Sequence, residues 1–132
     1  MNLTAQSLAD NFLGRVCMTD ATNRCLLNQR IGRLTPKENI ERDYLFWVLQ
    51  GPQFRKHIDT RGQGSKVQHL YNRDLETSRL PLPSRTEQQG ICRRLWDARA
   101  VVEANEELSA GLKRQKTGLL QDLLTGRVRV TP

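Results

Sequence analysis

The stretch that decides the fold is SRTEQQGICRRLWDARAVVEANEELSAGLKRQKTGLLQDLLTG, residues 84–126. No proline interrupts it, while Pro81 and Pro83 stand just before it, where a helix has not yet begun. The Ser84 hydroxyl is placed to cap the first turn, and Glu87, three residues on, completes the spacing of a capping box. Gly126 supplies the left-handed residue that ends a helix. The spacing predicts one helix of about 41 residues, roughly 60 Å long. Its apolar positions follow at alternating steps of three and four: Ile91, Leu95, Ala98, Val102, Asn105, Ser109, Leu112, Lys116, Leu119 and Leu123. This is a heptad seam, widened by Val101, Leu108 and Leu120. Polar residues interrupt it at Asn105, Ser109 and Lys116, a pattern that fixes register or partner. A surface helix packed along its own domain is the simpler alternative. The preceding chain is too short to cover so long a stripe, so a coiled-coil-like arm with a partner outside this chain is the better expectation.

The rest of the chain leaves room for a small body. Residues 1–83 are marginal for an independent core, and 127–132 form a tail. Arg15–Thr19 and Cys25–Leu34 read as strands, the second anchored by Leu27, Ile31 and Leu34. Ile40–Gln50 turns helical and holds the densest apolar cluster, with Trp47 expected in the core. Gly51-Pro52 breaks it. Gln53–Thr60 is a second helix with Phe54 and Ile58 facing inward. Asn72 opens a single helical turn to Glu76. Ser78–Pro83 is an extended edge strand whose prolines remove ladder donors, and Arg127–Val130 alternates like one more short strand. The fold class expected is α+β: a small mixed body of short strands and two short helices, then one long C-terminal helix.

The chain carries 21 Lys and Arg against 14 Asp and Glu, a net charge of +7, and sixteen of the cations are Arg. Arg makes forked contacts to phosphates and guanine edges, so nucleic acid is the leading partner class. The segment Arg61-Gly62-Gln63-Gly64-Ser65-Lys66-Val67-Gln68-His69 combines two glycines with a run of donors. Arg61, Gln63, Ser65, Lys66, Gln68 and Arg73 are the candidate DNA contacts, with Arg30 and Arg33 behind them. A solvated connection is the plainer reading of the same composition. Cys17, Cys25 and Cys92 have no metal-ligand spacing and form no zinc pattern with His57 and His69, so they read as free thiols. The sequence contains no glycine-rich cofactor loop, phosphate-binding loop or paired-carboxylate nuclease motif. No catalytic site, metal or cofactor is therefore expected. With no signal peptide and no apolar run of spanning length, the expected location is the cytoplasm.

Four stretches resemble the DNA-specificity (S) subunit of type I restriction–modification systems. They are Leu27-Asn28-Gln29 to Pro36; Asp43 to Leu49 with Phe54-Arg55; Gly64-Ser65 to Gln68 with Leu70 and Asp74-Leu75; and Leu80-Pro81-Leu82-Pro83 with Glu87-Gln88-Gln89, continued by Leu112-Lys113 and Leu119 to Arg129. The last is the most specific, and together they span roughly residues 14 to 130. In that family two target-recognition domains each read half of a split DNA site. Two long helices pair antiparallel, space the domains and dock the methyltransferase (M) subunits. The resemblance implies that residues 1–83 are part of a recognition domain and that 84–126 is the spacer and docking helix, with Ile91, Leu95, Ala98, Val102, Asn105, Leu112, Leu119 and Leu123 on its partner seam. It implies double-stranded DNA, the modification subunit and the restriction subunit as partners, and self-association or pairing with another specificity half. Two copies joined through their helices would read a palindrome split by a fixed gap. The competing expectation is an interaction module that binds the modification or specificity subunit without reading DNA. An unrelated dimeric DNA-binding regulator would explain the charge and the seam but not the four stretches.

Overall fold

A computed structural model describes residues 1–6, 12–19, 26–61 and 67–130. It resolves into two compact units, Met1–Cys92 and Arg93–Pro132. The order of elements is β1 (Thr4–Ala5), α1 (Arg42–Val48), α2 (Pro52–Arg61), β2 (Gln68–His69), α3 (Asn72–Glu76) and α4 (Arg85–Leu124). The fold is α+β, as expected, and mostly helical.

The extended segment from Met1 to Ala5 ties the first unit together. β1 pairs antiparallel with β2, Thr4 opposite His69 and Ala5 opposite Gln68. The pairing continues where the Leu70 amide donates to Leu3 O at 2.9 Å. Asn2 makes an isolated bridge to Ile31, and its amide and carbonyl bond Arg15 and Gly14, each at 2.8 Å. Gly14 sits at φ +69°, and a Cβ there would lie 3.1 Å from Ile58 Cγ1, so both backbone and space call for glycine.

The core gathers Met1, Ala5, Leu13, Leu49, Phe54, Ile58 and Leu70, with Leu3, Val16, Leu45, Val48, Leu75 and Leu80 packed against it. Phe54 and Ile58, one turn apart on α2, are the deepest apolar side chains. α2 begins on Pro52, whose missing amide is no loss in a first turn. Trp47 is only half-buried and meets Phe46 edge-on, with ring centroids 5.2 Å apart; Tyr44, Phe46 and Leu49 are the buried members of this stretch.

Several expected strands do not form. Of Arg15–Thr19 and the described part of Cys25–Leu34, only Ile31 bridges, and Leu26, Leu27, Ile31 and Leu34 remain exposed. An apolar run makes a strand only where a neighbouring ladder takes its backbone groups; here the ladder partner of Met1–Ala5 is shared among three segments. Ser78–Pro83 bonds side chains instead of a strand: Pro81 O accepts the Tyr44 hydroxyl at 2.9 Å. Arg127–Val130 forms no strand; the turn at Thr125–Gly126, with Gly126 at φ +74°, brings Val128 N to Asp122 O at 3.0 Å. α3 forms over its expected residues, but its N-cap is Tyr71, not Asn72. The Tyr71 amide is bonded by Asp74 Oδ2 at 2.9 Å.

Candidate nucleic-acid interface and helix stripe

The candidate DNA contacts cluster around the end of α2 and the start of α3. Arg61 is the exposed last residue of α2. Gln63, Ser65 and Lys66 lie outside the described residues. Arg73, the second residue of α3, is largely exposed and holds its guanidinium 5.6 Å from the centre of the Tyr71 ring, itself half-exposed. An arginine on an aromatic face keeps its donors in one plane, ready for a phosphate or a base edge. Gln68 is placed differently: as part of β2 it is 6 % exposed, and its Oε1 has no hydrogen-bond partner among the described residues. Arg30 and Arg33 are exposed on the segment before α1. Arg55 is committed to the fold, donating to Leu13 O at 2.6 Å beside Asp59. His57 Nε2 donates to Asp74 O at 2.6 Å and so carries its proton on that nitrogen. No group of residues suited to a metal ion occurs among the described residues.

A buried polar junction roots α4. Gln88 is fully buried, and all of its polar atoms are used. Its Oε1 accepts the Glu41 amide at 2.8 Å, and its Nε2 donates to Asn39 O and Pro83 O, each at 3.0 Å. Around it, Arg85 and Gln89 both bond Glu41 Oε1, at 2.5 and 3.1 Å. The bond from Arg85, then that from Gln89, holds the Glu41 carboxyl below the ordinary carboxylate range. Ser84 Oγ accepts the Glu87 amide at 3.3 Å, the capping contact that the sequence indicates. Cys92, one turn on from Gln88, is buried, which raises its thiol pKa. Cys17 is an exposed free thiol, and Cys25 lies outside the described residues. Sequence reasoning placed Gln88 in a motif but missed this role; the one available signal was an amide side chain three residues inside a capped helix.

Beyond Cys92 the helix changes character. Val102 is 54 % exposed, Leu112 56 % and Leu119 51 %, and Leu95 and Leu123 are also exposed. Ala98, Ser109 and Lys116 on the same seam are exposed, whereas Ile91 is half-buried. Asn105 returns its Nδ2 to Val101 O at 2.9 Å. Near the C-terminus, Leu112, Leu119, Leu120, Leu123 and Leu124 line a shallow apolar depression flanked by Gln115 and Lys116. Arg99 is held by Glu103 at 2.6 Å and lies 5.4 Å from the centre of the Trp96 ring. No helix among the described residues is long and apolar enough to cross a membrane.

The body is small and α+β, and the long helix after it carries an exposed apolar stripe. The family is specific: residues 12–114 match the type I restriction modification DNA specificity domain, and the chain belongs to that family. It is 27 % identical over 114 residues to the type I restriction enzyme MjaVIII specificity subunit of Methanocaldococcus jannaschii, covering 86 % of this chain and 27 % of that protein. It is 26 % identical over 106 residues to the putative MjaX specificity subunit of the same organism, covering 80 % of this chain and 24 % of the relative. Against the EcoBI specificity subunit of Escherichia coli it is 30 % identical over 108 residues, covering 78 % and 22 %. The chain thus spans about a quarter of the length of these curated relatives. No solved structure matches it significantly.

Proposed function

We propose that this chain is a non-catalytic, DNA-reading component of a type I restriction–modification assembly. Residues 1–83 act as part of a target-recognition domain, and the helix of residues 84–126 carries the partner surface. The observation that carries the reading is the family match, which extends from Phe12 to Arg114 and so takes in most of the body and most of the helix. The exposed Arg61 and the ring-supported Arg73, on either side of the Gly62–Lys66 segment, support a DNA edge there. Gln63, Ser65 and Lys66 complete the set of contacts. Gln68, also in the proposed set, is buried in β2 opposite Ala5, so a contact from it needs that side chain to be uncovered.

The uncovered seam supports docking of the modification subunit and of another specificity half. The restriction subunit joins through that assembly, and adenine methylation from S-adenosylmethionine stays with the modification subunit. The reading is tested by selecting bound sequences from a random duplex library with the chain alone and with the modification subunit. Enrichment of one motif supports it. Lys66→Ala then weakens binding to all sequences alike, with a shallower salt dependence. Tight association with the modification subunit and no enriched motif would replace it with the non-reading interaction module.

A further inference from the structure

Resting on the reading of this body as part of a DNA-recognition domain, we propose that Tyr71, Arg73 and Asp74 form one unit that selects a guanine. Arg73 makes the contact, the Tyr71 ring sets the plane of its guanidinium, and Asp74 is the positioning residue beneath both.

Few arginines in this chain are held in such a way. Of the described arginines, only Arg73 and Arg99 lie over an aromatic ring, and Arg99 is taken up by Glu103 at 2.6 Å. Arg55 and Arg85 are committed as well, to Leu13 O and to Glu41. Arg30, Arg33 and Arg61 are exposed, with no ring or ion-pair partner among the described residues. Arg73 combines exposure with restraint. Its side chain is 72 % exposed, its guanidinium carbon lies 5.6 Å from the centre of the Tyr71 ring, and its Nε is 3.9 Å from Asp74 Oδ1. Its two terminal nitrogens, Nη1 and Nη2, have no partner among the described residues. A fixed plane matters little to a phosphate, which accepts a cation from many directions. It matters to O6 and N7 of guanine, which lie in one plane and take a fork of two donors.

The support beneath the pair is buried. Asp74 is 2 % exposed, whereas Tyr71 is 52 % exposed. Asp74 Oδ2 accepts the Tyr71 amide at 2.9 Å, which fixes the backbone that carries the ring. Its carbonyl accepts His57 Nε2 at 2.6 Å and the Thr77 hydroxyl at 3.2 Å. His57 stands one turn before Arg61 on α2, so Asp74 also ties the pair to the helix whose end carries Arg61. A carboxyl so placed does more than cap a five-residue turn, because it reaches both members of the exposed pair.

The test is selection from the random duplex library with the full chain and the modification subunit, followed by affinities for the enriched duplex and its single-base variants. At one position the parent should prefer guanine by about tenfold or more. Arg73→Lys keeps the charge and removes the fork, so that preference should collapse while the other positions and the salt dependence stay as they are. Tyr71→Leu should relax the same position in part, and Tyr71→Phe, which keeps the ring, should retain it. Asp74→Asn keeps an acceptor for the Tyr71 amide but puts an amide where the carboxyl faces Arg73. It too should relax that one position, whereas a merely structural loss would weaken binding to every sequence alike. If Asp74→Asn does not fold, Arg73→Lys and Tyr71→Leu, both at exposed positions, still decide the matter. An equal change on all sequences with Arg73→Lys would make Arg73 a phosphate contact and overturn the proposal, as would no change at all. A parent that enriches no motif removes DNA reading itself, and the guanine reader with it. A motif that survives Arg73→Lys at every position removes the guanine reader alone.

Discussion

Two parts of one helix reverse the usual distribution of polarity. At its root, α4 buries the amide of Gln88 completely, while further along it leaves Leu112 and Leu119 about half exposed. Ordinarily the leucine is inside and the glutamine outside. The root shows what makes a buried polar group tolerable: each of its hydrogen-bonding atoms meets a backbone group left over by the loop before α1 or by the proline segment. The exposed leucines show the complementary case, apolar surface left open among the described residues. The first region is finished by intramolecular bonds, and the second is finished, on our reading, by another polypeptide.

The comparison can be broken most forcefully in the body. Phe54→Ala removes the largest fully buried apolar side chain, next to Ile58, and is expected to cost about 3–5 kcal/mol. For so small a core that is most of the available stability. Denaturant melts followed by Trp fluorescence and helical ellipticity should show the loss. If Phe54→Ala left the body's transition unmoved, the residues of the first unit would not be acting as a core.

Next in size is the junction. Gln88→Ala leaves the Glu41 amide and the Asn39 and Pro83 carbonyls without their partner in a dry site, a loss of about 2–3 kcal/mol. Gln88→Glu separates shape from hydrogen bonding, because a carboxylate keeps the acceptor for Glu41 but cannot donate to two carbonyls. Equal stability of the Glu variant and the parent would show that the donor half of the junction contributes nothing.

By contrast, Leu119→Ala should barely change the melting of the isolated chain, by about 0.5 kcal/mol or less, since half of that side chain already faces water. Its effect should appear as lost self-association or lost binding of the modification subunit. A large intrinsic destabilisation would mean that the seam is covered by its own molecule.

The helix was the most legible part of this sequence, and for a local reason. Its cap, its period and its glycine stop are all written within the segment, so Ser84 and Gly126 bracket a helix observed over Arg85–Leu124. α2 and α3 were legible on the same terms, from Pro52, Phe54 and Ile58 and from the turn at Asn72. The sheet was not. Leu27, Ile31 and Leu34, read as the anchors of a strand, do not alternate at a step of two, and the paired strands are Thr4–Ala5 and Gln68–His69, two-residue pieces far apart in the chain. Pairing of that kind depends on which distant segment arrives, and no local pattern records it. In the candidate site, Arg61 and Arg73 could be proposed from charge and position. The burial of Gln68 could not, because it follows from its place opposite Ala5. The role of Gln88 was hidden for the same reason, since two of its three partners, Asn39 and Glu41, sit on the loop before α1.

The smallest expected effect is in the pH dependence of the junction. Arg85 and Gln89 stabilise the charged form of Glu41, so its carboxyl titrates below the ordinary value of 4.5. A folded-state pKa lower than the unfolded one means that the unfolded chain takes up the proton first as the solution is acidified. The contribution of Glu41 is therefore fully present above the unfolded value and is lost as the pH falls through the lower folded one. Arg85 is mostly exposed, so solvent screens the pair and the loss is small beside that from Gln88. Melting curves taken between neutral pH and pH 3 should fall less steeply for Glu41→Gln than for the parent. Since Gln89 also bonds Glu41 Oε1, Arg85→Ala should flatten the profile only in part. Identical profiles for the parent and Glu41→Gln would show that the acid contributes nothing to the root of α4 and that Gln88 holds it without help.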